Sequence, residues 1–113
     1  MELTDDEIQK IQSKYKDLTN YQADDIFAPI DPMTYRESGG DGLLHIAADR
    51  GDLETIQLML RAGADINQLG DMGLTPLHYA YLHHQQTVVD FLIENGASLE
   101  IRDEFGKLPA DRQ

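Results

Sequence analysis

Apolar residues recur along this chain with a spacing of 33 residues, so that residues 40–72 align with residues 73–105. Leu44-His45 falls on Leu77-His78, and Gly63-Ala64 falls on Gly96-Ala97. Two apolar runs also coincide: Ile56, Leu58, Met59 and Leu60 with Val89, Phe91, Leu92 and Ile93. A period of this size is typical of solenoids, in which each unit buries its apolar face only against its neighbours.

Each unit is predicted to contain two short helices separated by a turn. In the first unit the helices are expected at 43–50 and 53–62, with Gly51 between them and Gly63 after the second. In the second unit they are expected at 76–83 and 87–95, since Thr75 is a suitable N-cap, Pro76 suits the first turn and Gly96 can end the helix in a left-handed conformation. The stretch after each second helix is predicted to be extended and to lead into a turn. A third unit begins near Asp103 and stops early, with one helical turn predicted at 109–112.

Residues 1–39 lie outside the repeats and are predicted to cover the open face of the first one. Thr4 and Glu7 have the spacing of a capping box. One apolar stripe follows, which predicts a helix over 4–18: Ile8, Ile11, Tyr15 and Leu18. Apolar residues between Tyr21 and Gly39 predict a loop laid against the helices: Ile26, Phe27, Ile30, Met33 and Tyr35. The chain is therefore read as one domain with a cap (1–39), two repeats (40–72 and 73–105) and a partial capping repeat (106–113).

Two strings carry a family resemblance. Gly73-Leu74-Thr75-Pro76-Leu77-His78 and Arg61-Ala62-Gly63-Ala64-Asp65-Ile66-Asn67 resemble the two most characteristic stretches of the ankyrin repeat. The resemblance covers about residues 40–113 and implies an all-α solenoid of helix-turn-helix units with extended turns. It also implies that His45 and His78 are buried and hydrogen-bonded to the backbone of adjacent turns. The chain departs from the family pattern at Gly42-Leu43, where Thr-Pro is expected, and at His84, where a glycine normally separates the helices.

The charge of the chain narrows the choice of partner. Its 113 residues include 21 Asp and Glu against 9 Lys and Arg, which gives a net charge of −12 and a pI near 4.4. Such acidity argues against binding to nucleic acid or to an anionic membrane surface and favours a basic partner. Cysteine is absent, the N-terminus is acidic, and no apolar run approaches the roughly 18 residues of a membrane span. A soluble, cytoplasmic protein is expected.

The sequence contains no pattern that selects a catalytic, cofactor or metal site. The carboxylates are scattered, and no phosphate loop, dinucleotide fingerprint, nucleophile elbow or calcium loop is present. His83 and His84 are adjacent and would project in different directions, so they do not form a ready zinc pair. The chain is not expected to be an enzyme or to need a cofactor.

The family resemblance implies that the turn tips and the outer side of the first helices bind other proteins. The repeat maps that surface onto eleven residues: Asp49, Arg50, Asp71, Met72, Leu74, Tyr81, Leu82, His83, Glu104, Phe105 and Lys107. Four apolar ones are expected to be exposed as contact residues: Met72, Leu74, Leu82 and Phe105. The alternative is that Met72 and Phe105 fold back onto neighbouring turns and that Leu82 touches the C-terminal fragment.

The expected function is that of a protein-binding module, monomeric when free. The size of the chain and the segment Asp24-Asp25-Ile26-Phe27-Ala28-Pro29, followed by Tyr35-Arg36, resemble small bacterial ankyrin-repeat immunity proteins. That resemblance implies a cognate toxin as the partner, and a basic one, since many such toxins are nucleases. Two alternatives stay open. One is a general scaffold or adaptor, and the other is a regulatory subunit in which His83-His84 and nearby carboxylates sense a ligand or metal.

Overall fold

A computed structural model describes residues 2–20, 23–25 and 27–113 of the chain. Within these ranges it contains five α-helices and two 3₁₀ turns, and no β-strand. The helices are α1 (Asp5–Lys14), α2 (Leu43–Arg50), α3 (Leu53–Arg61), α4 (Pro76–Leu82) and α5 (Gln86–Glu94), and the 3₁₀ turns are Asp71–Gly73 and Pro109–Arg112. The predicted all-α class is confirmed. Among the described residues, no helix is both long enough and apolar enough to cross a bilayer.

The core repeats with the period of the sequence. α2 packs against α3 and α4, and α4 packs in turn against α5 and the turn Pro109–Arg112. Equivalent positions of the two units are buried in pairs: Leu44 with Leu77, Ala47 with Ala80, Ile56 with Val89, and Met59 with Leu92. The stack is therefore held together by the apolar residues that the 33-residue alignment pairs.

The helix boundaries follow local capping. Thr75 accepts a hydrogen bond from the His78 N–H at 3.3 Å, and Pro76 occupies the first helical position, so α4 begins where predicted. α2 matches its predicted bounds. α3 and α4 end one residue early, and α5 is shifted by one residue towards the N-terminus.

The N-terminal helix is shorter than predicted. Thr4 and Glu7 form the expected capping box, but α1 ends at Lys14 and not at Leu18. At Tyr15 the backbone leaves the helical region, with φ −114° and ψ 33°. The buried hydroxyl of Tyr15 donates a 2.7 Å hydrogen bond to Asp52. The contact between Tyr15 and the neighbouring repeat therefore accompanies the end of the helix.

Ion pairs hold α1 antiparallel to α3. Glu7 near the start of α1 pairs with Arg61 at the end of α3. Lys14 at the end of α1 pairs with Asp52 before the start of α3, at 3.0 Å. A repeat translated along the stack would place equivalent helices parallel, so α1 does not take the place of a repeat's second helix.

The loop between α1 and α2 is only partly packed. Ile30 and Tyr35 are buried, as expected. Phe27 is 88% exposed and Met33 is also exposed, so the expectation that both lie against the helices is wrong. The carboxylates of Asp25 and Asp31 accept the backbone N–H groups of Phe27 and Met33, at 2.9 and 3.1 Å, in tight turns that hold both apolar side chains outward. Ile26, which was predicted in the same loop, lies outside the described residues.

Candidate protein interface

Three hairpin-like tips project from the repeats at 33-residue intervals. Each is closed by one backbone N–H to carbonyl bond: Glu37 to Asp41 at 2.9 Å, Gly70 to Leu74 at 2.8 Å, and Asp103 to Lys107 at 2.9 Å. We call the segments 37–41, 70–74 and 103–107 the first, second and third tips. Because each tip is closed by the same backbone bond, the three tips are equivalent parts of successive units.

A buried histidine in the first helix of each repeat bonds to the loop that follows the second helix. The Gly42 N–H donates to His45 Nδ1 at 3.0 Å, so Nε2 carries the proton and bonds to the Gln68 carbonyl at 2.9 Å. His78 repeats the arrangement with the Thr75 N–H and the Lys107 carbonyl, both at 3.0 Å. The predicted buried role of both residues is confirmed. Burial lowers the pKa of His45 and so favours its neutral form.

Two hydrogen bonds join the tips into one row. The Asp71 N–H in the second tip donates to the Asp41 carboxylate in the first, at 2.8 Å. The Glu104 N–H in the third tip donates to the Met72 carbonyl in the second, at 3.0 Å. The three tips therefore form one continuous surface.

Asp41 is the junction between the first tip and the helices. It is buried, and its second carboxylate oxygen accepts the Tyr79 hydroxyl at 2.5 Å. Burial and this carboxylate together raise the pKa of Tyr79. Burial, the hydrogen bond to Asp41 and the charge of nearby Asp71 raise the pKa of Glu37 to about 7. The neighbouring carboxylates therefore favour the protonated form of Glu37.

Asp41 and Tyr79 are absent from the predicted surface, although the sequence carries a signal for Asp41. The repeat alignment places Asp41 opposite Leu74 of the second unit, which is buried. A carboxylate where the next repeat buries leucine needs a hydrogen-bond donor beside it. In the structure the Tyr79 hydroxyl is one such donor.

A small cleft opens between α2 and α4 beside the first tip. Its volume is about 190 Å³. Its polar lining consists of Glu37, Asp41, His45, Asp49, Arg50 and Tyr79. On α2, Asp49 accepts from Nε2 of His83, the residue that follows α4, at 2.7 Å. Arg50 turns away towards Asp17, at 2.7 Å, and lies over the Tyr15 ring at 5.1 Å. Because Arg50 is paired with Asp17, it does little to neutralise the carboxylates of the cleft.

The apolar residues of the predicted surface divide into two groups. Met72, Leu82 and Phe105 are 46%, 39% and 64% exposed, as expected for surface residues. Phe105 also lies against Arg112 of the C-terminal turn, whose guanidinium is 5.7 Å from the centre of its ring. Leu74 is only 8% exposed, which corrects the expectation that it lies on the surface. It closes the base of the second tip through its carbonyl and directly precedes the N-cap Thr75, where the chain turns inward to start α4.

The other predicted residues around these apolar side chains carry charges of both signs. Glu104 and Lys107 are exposed on the third tip, and Asp71 and Tyr81 are partly buried. In the described part of the chain, no group of three or more His, Asp or Glu side chains is arranged to hold a metal ion. The same part contains no buried side-chain polar atom that lacks a hydrogen-bond partner. This surface can offer apolar contact and negative charge to a partner.

Comparison with known proteins gives consistent matches. Residues 12–103 match the family described as "Ankyrin repeats (3 copies)". Human protein phosphatase 1 regulatory subunit 27 is 38% identical over 72 residues, which are 64% of this chain and 47% of that protein. The probable 26S proteasome regulatory subunit p28 of Saccharomyces cerevisiae is 36% identical over 80 residues, which are 69% of this chain and 35% of that protein. The chain thus spans less than half the length of these relatives.

Proposed function

This chain belongs to the ankyrin-repeat family, and from that premise we propose that it is a cytoplasmic immunity protein that binds and neutralises a basic bacterial toxin. Ankyrin repeats mediate binding between proteins. The finer assignment is supported by the N-terminal segment that resembles such immunity proteins, together with the net charge of −12. An acidic inhibitor is matched by charge to a nuclease, because a protein that binds nucleic acid presents a basic surface.

The row of carboxylates along the tips and the cleft is the observation that carries the proposal. It contains Glu37, Asp41, Asp49, Asp71 and Glu104. Beside them, Arg50 is paired with Asp17, and Lys107 is exposed on the third tip. Two further arginines contact the tips, since Arg36 donates to the Gly40 carbonyl at 3.2 Å and Arg102 donates to the Gly106 carbonyl at 2.7 Å. Since Met72, Leu82 and Phe105 are exposed on the same repeats, the surface combines apolar anchors with a negative field. That combination suits a partner whose apolar contacts are surrounded by Lys and Arg.

The test uses the reading frame adjacent to the gene in its source genome. The two proteins are co-expressed with a tag on this chain, and cell growth and co-elution are measured. We expect the neighbouring product to arrest growth alone, to be harmless in the presence of this chain, and to co-elute with it. Growth arrest that persists despite equal expression of this chain would contradict the proposal.

Rate measurements test the electrostatic part of the proposal. The association rate is expected to fall steeply with ionic strength, because charge steering is screened over about 8 Å at physiological salt. An association rate independent of salt would show that the acidity does not steer the partner.

A second candidate is a regulatory subunit or adaptor of a larger assembly. It is favoured by the two relatives whose names describe regulatory subunits, of a phosphatase and of the proteasome. Affinity purification of the tagged chain from its source cell separates the candidates. An adaptor is expected to co-purify with a multi-subunit assembly, and an immunity protein with one basic protein in equal amounts.

A further inference from the structure

Met72 adopts a backbone conformation that its side chain disfavours. Its φ of 54° and ψ of 25° lie in the left-handed region, where glycine and asparagine are favoured. Within the described residues only His84 shares a positive φ among the non-glycine residues. Met72 is also 46% exposed. The chain therefore keeps a large apolar residue at a position where both the backbone and the solvent favour another residue.

The surroundings of Met72 hold it in this conformation. Its carbonyl accepts the Glu104 N–H at 3.0 Å, and the Gly73 N–H that follows donates to the Gly70 carbonyl at 3.1 Å. The preceding N–H, of Asp71, donates to the Asp41 carboxylate at 2.8 Å. The second tip is thus hydrogen-bonded to both the first and the third tip. A side chain held in place before binding loses little conformational entropy when a partner arrives. Strained residues that the surrounding structure holds in this way are concentrated at binding sites.

The neighbours of Met72 define what can cover it. Phe105, on the third tip, is 64% exposed and follows Glu104, whose backbone N–H contacts Met72. Asp71 precedes Met72 in the second tip, and the Glu104 side chain is exposed. Carboxylates lie on the Met72 side of the pair, at Asp71 and Glu104, whereas the Arg112 guanidinium lies over the Phe105 ring at 5.7 Å. A complementary surface must therefore be apolar at its centre and positively charged where it faces Met72.

We propose that Met72, with Phe105 on the next tip, is the main anchor of this surface and enters an apolar site bordered by lysine or arginine on the partner. The inference rests on the proposed function, in which this face binds a basic protein, and it adds the chemistry of the contact. The strained backbone of Met72 lowers the stability of the fold, and the exposed side chain raises the affinity for the partner. Replacing Met72 should therefore raise stability and weaken binding at the same time.

The probe is a phage-displayed library of random peptides of about a dozen residues, selected on the full chain. We expect the enriched peptides to carry an aromatic or aliphatic residue between Lys or Arg. They should bind Met72→Asn and Met72→Gly at least about tenfold more weakly than the wild type, as is usual when a main contact residue of an interface is truncated. Both variants should melt about 3 to 6 °C higher than the wild type, since each suits a left-handed residue. Met72→Asn controls for backbone flexibility, because asparagine favours the left-handed conformation without the added freedom of glycine.

His84→Gly is the matched control, because it relieves the same kind of backbone strain at the far end of α4 from the second tip. It should raise the melting temperature equally and leave peptide binding unchanged. Enriched peptides that are acidic, an absence of enrichment, or peptides that bind both Met72 variants as tightly as the wild type would each overturn the inference. A toxin that binds Met72→Asn with undiminished affinity would overturn it and leave the proposed function intact. Failure to find a toxin would count against the proposed function only, since the selection needs none.

Discussion

His84 and Gly51 occupy equivalent positions in the two repeats, and both residues are left-handed, with φ values of 55° and 74°. The turn between the two helices of each repeat therefore needs the same conformation, whichever residue the sequence supplies. Glycine adopts it without strain, whereas a residue with a Cβ is disfavoured by about 1 kcal/mol. We expect His84→Gly to raise the free energy of unfolding by about that amount in urea titrations.

The control for His84→Gly is Thr87→Gly, at an exposed helical position in α5. Glycine is less favourable than threonine in a helix, so this variant should be less stable than the wild type. A lower stability of His84→Gly would instead mean that the imidazole makes a stabilising contact that outweighs the strain.

The first tip should make stability depend on pH near neutrality. Burial and the neighbouring Asp41 raise the pKa of Glu37 from 4.5 to about 7. Between these values the folded state keeps a proton that the unfolded state has released, so stability falls as the pH rises through this window. Glu37→Gln keeps a neutral group there. At pH 8 it should be more stable than the wild type by about 1 to 2 kcal/mol, which is less than the full shift because the site is partly solvated.

Urea midpoints from pH 5 to pH 8 measure this effect. The carboxylates that act on Glu37 are Asp41, Asp49 and Asp71, so the difference between the wild type and Glu37→Gln isolates the contribution of Glu37. Glu100→Gln, at an exposed position that is not among the groups acting on Glu37, is the control and should follow the wild-type profile. Parallel profiles for the wild type and Glu37→Gln would show that the pKa of Glu37 is not raised in the folded state.

The sequence predicts most of the repeat fold because the signals for it are local. α2 matches its predicted bounds, and α4 starts at its predicted residue, since caps and glycine breaks lie within a few residues of each boundary. The 33-residue period alone predicts that Leu44 and Leu77 are buried at equivalent positions. α1 is different. Its end coincides with the contact between Tyr15 and Asp52, and these residues are far apart in sequence.

The predicted surface shows the same division. Met72 and Phe105 are exposed as the repeat pattern indicates. Leu74 is not, because its backbone closes the tip and the chain then turns inward. Asp41 and Tyr79 meet across two units, and a pattern within one unit contains no information about their pairing.

Asp52 should be the main polar link between α1 and the first repeat. Its carboxylate accepts the Thr55 N–H at 3.2 Å, as the N-cap of α3, and also the Tyr15 hydroxyl at 2.7 Å. Asp52→Ala removes the cap and leaves a buried hydroxyl without its acceptor, so we expect a loss of about 2 to 3 kcal/mol. Tyr15→Phe removes only the hydroxyl and should cost about 1 kcal/mol.

The control for Asp52 is Asp90→Ala on the exposed face of α5. Asp90 accepts one side-chain hydrogen bond, from Gln86 at 2.8 Å, so this change should stay within about 0.5 kcal/mol. Urea unfolding followed by circular dichroism measures all three variants. If Asp52→Ala costs no more than Asp90→Ala, Asp52 is not the main polar link between α1 and the first repeat.

Leu82 and Leu74 both belong to the second repeat, yet replacing each with aspartate should have different effects on stability and on binding. Leu82 is 39% exposed on α4, so Leu82→Asp should keep its melting temperature within about 2 °C and lose binding to the protein that co-purifies with the chain. Leu74 is buried, and Leu74→Asp places an unpaired carboxylate there, which should lower stability by at least about 3 kcal/mol. Melting curves and pull-downs on both variants separate the two effects. A Leu82→Asp variant that unfolds would place Leu82 in the core, and one that folds and still binds would remove this part of α4 from the interface.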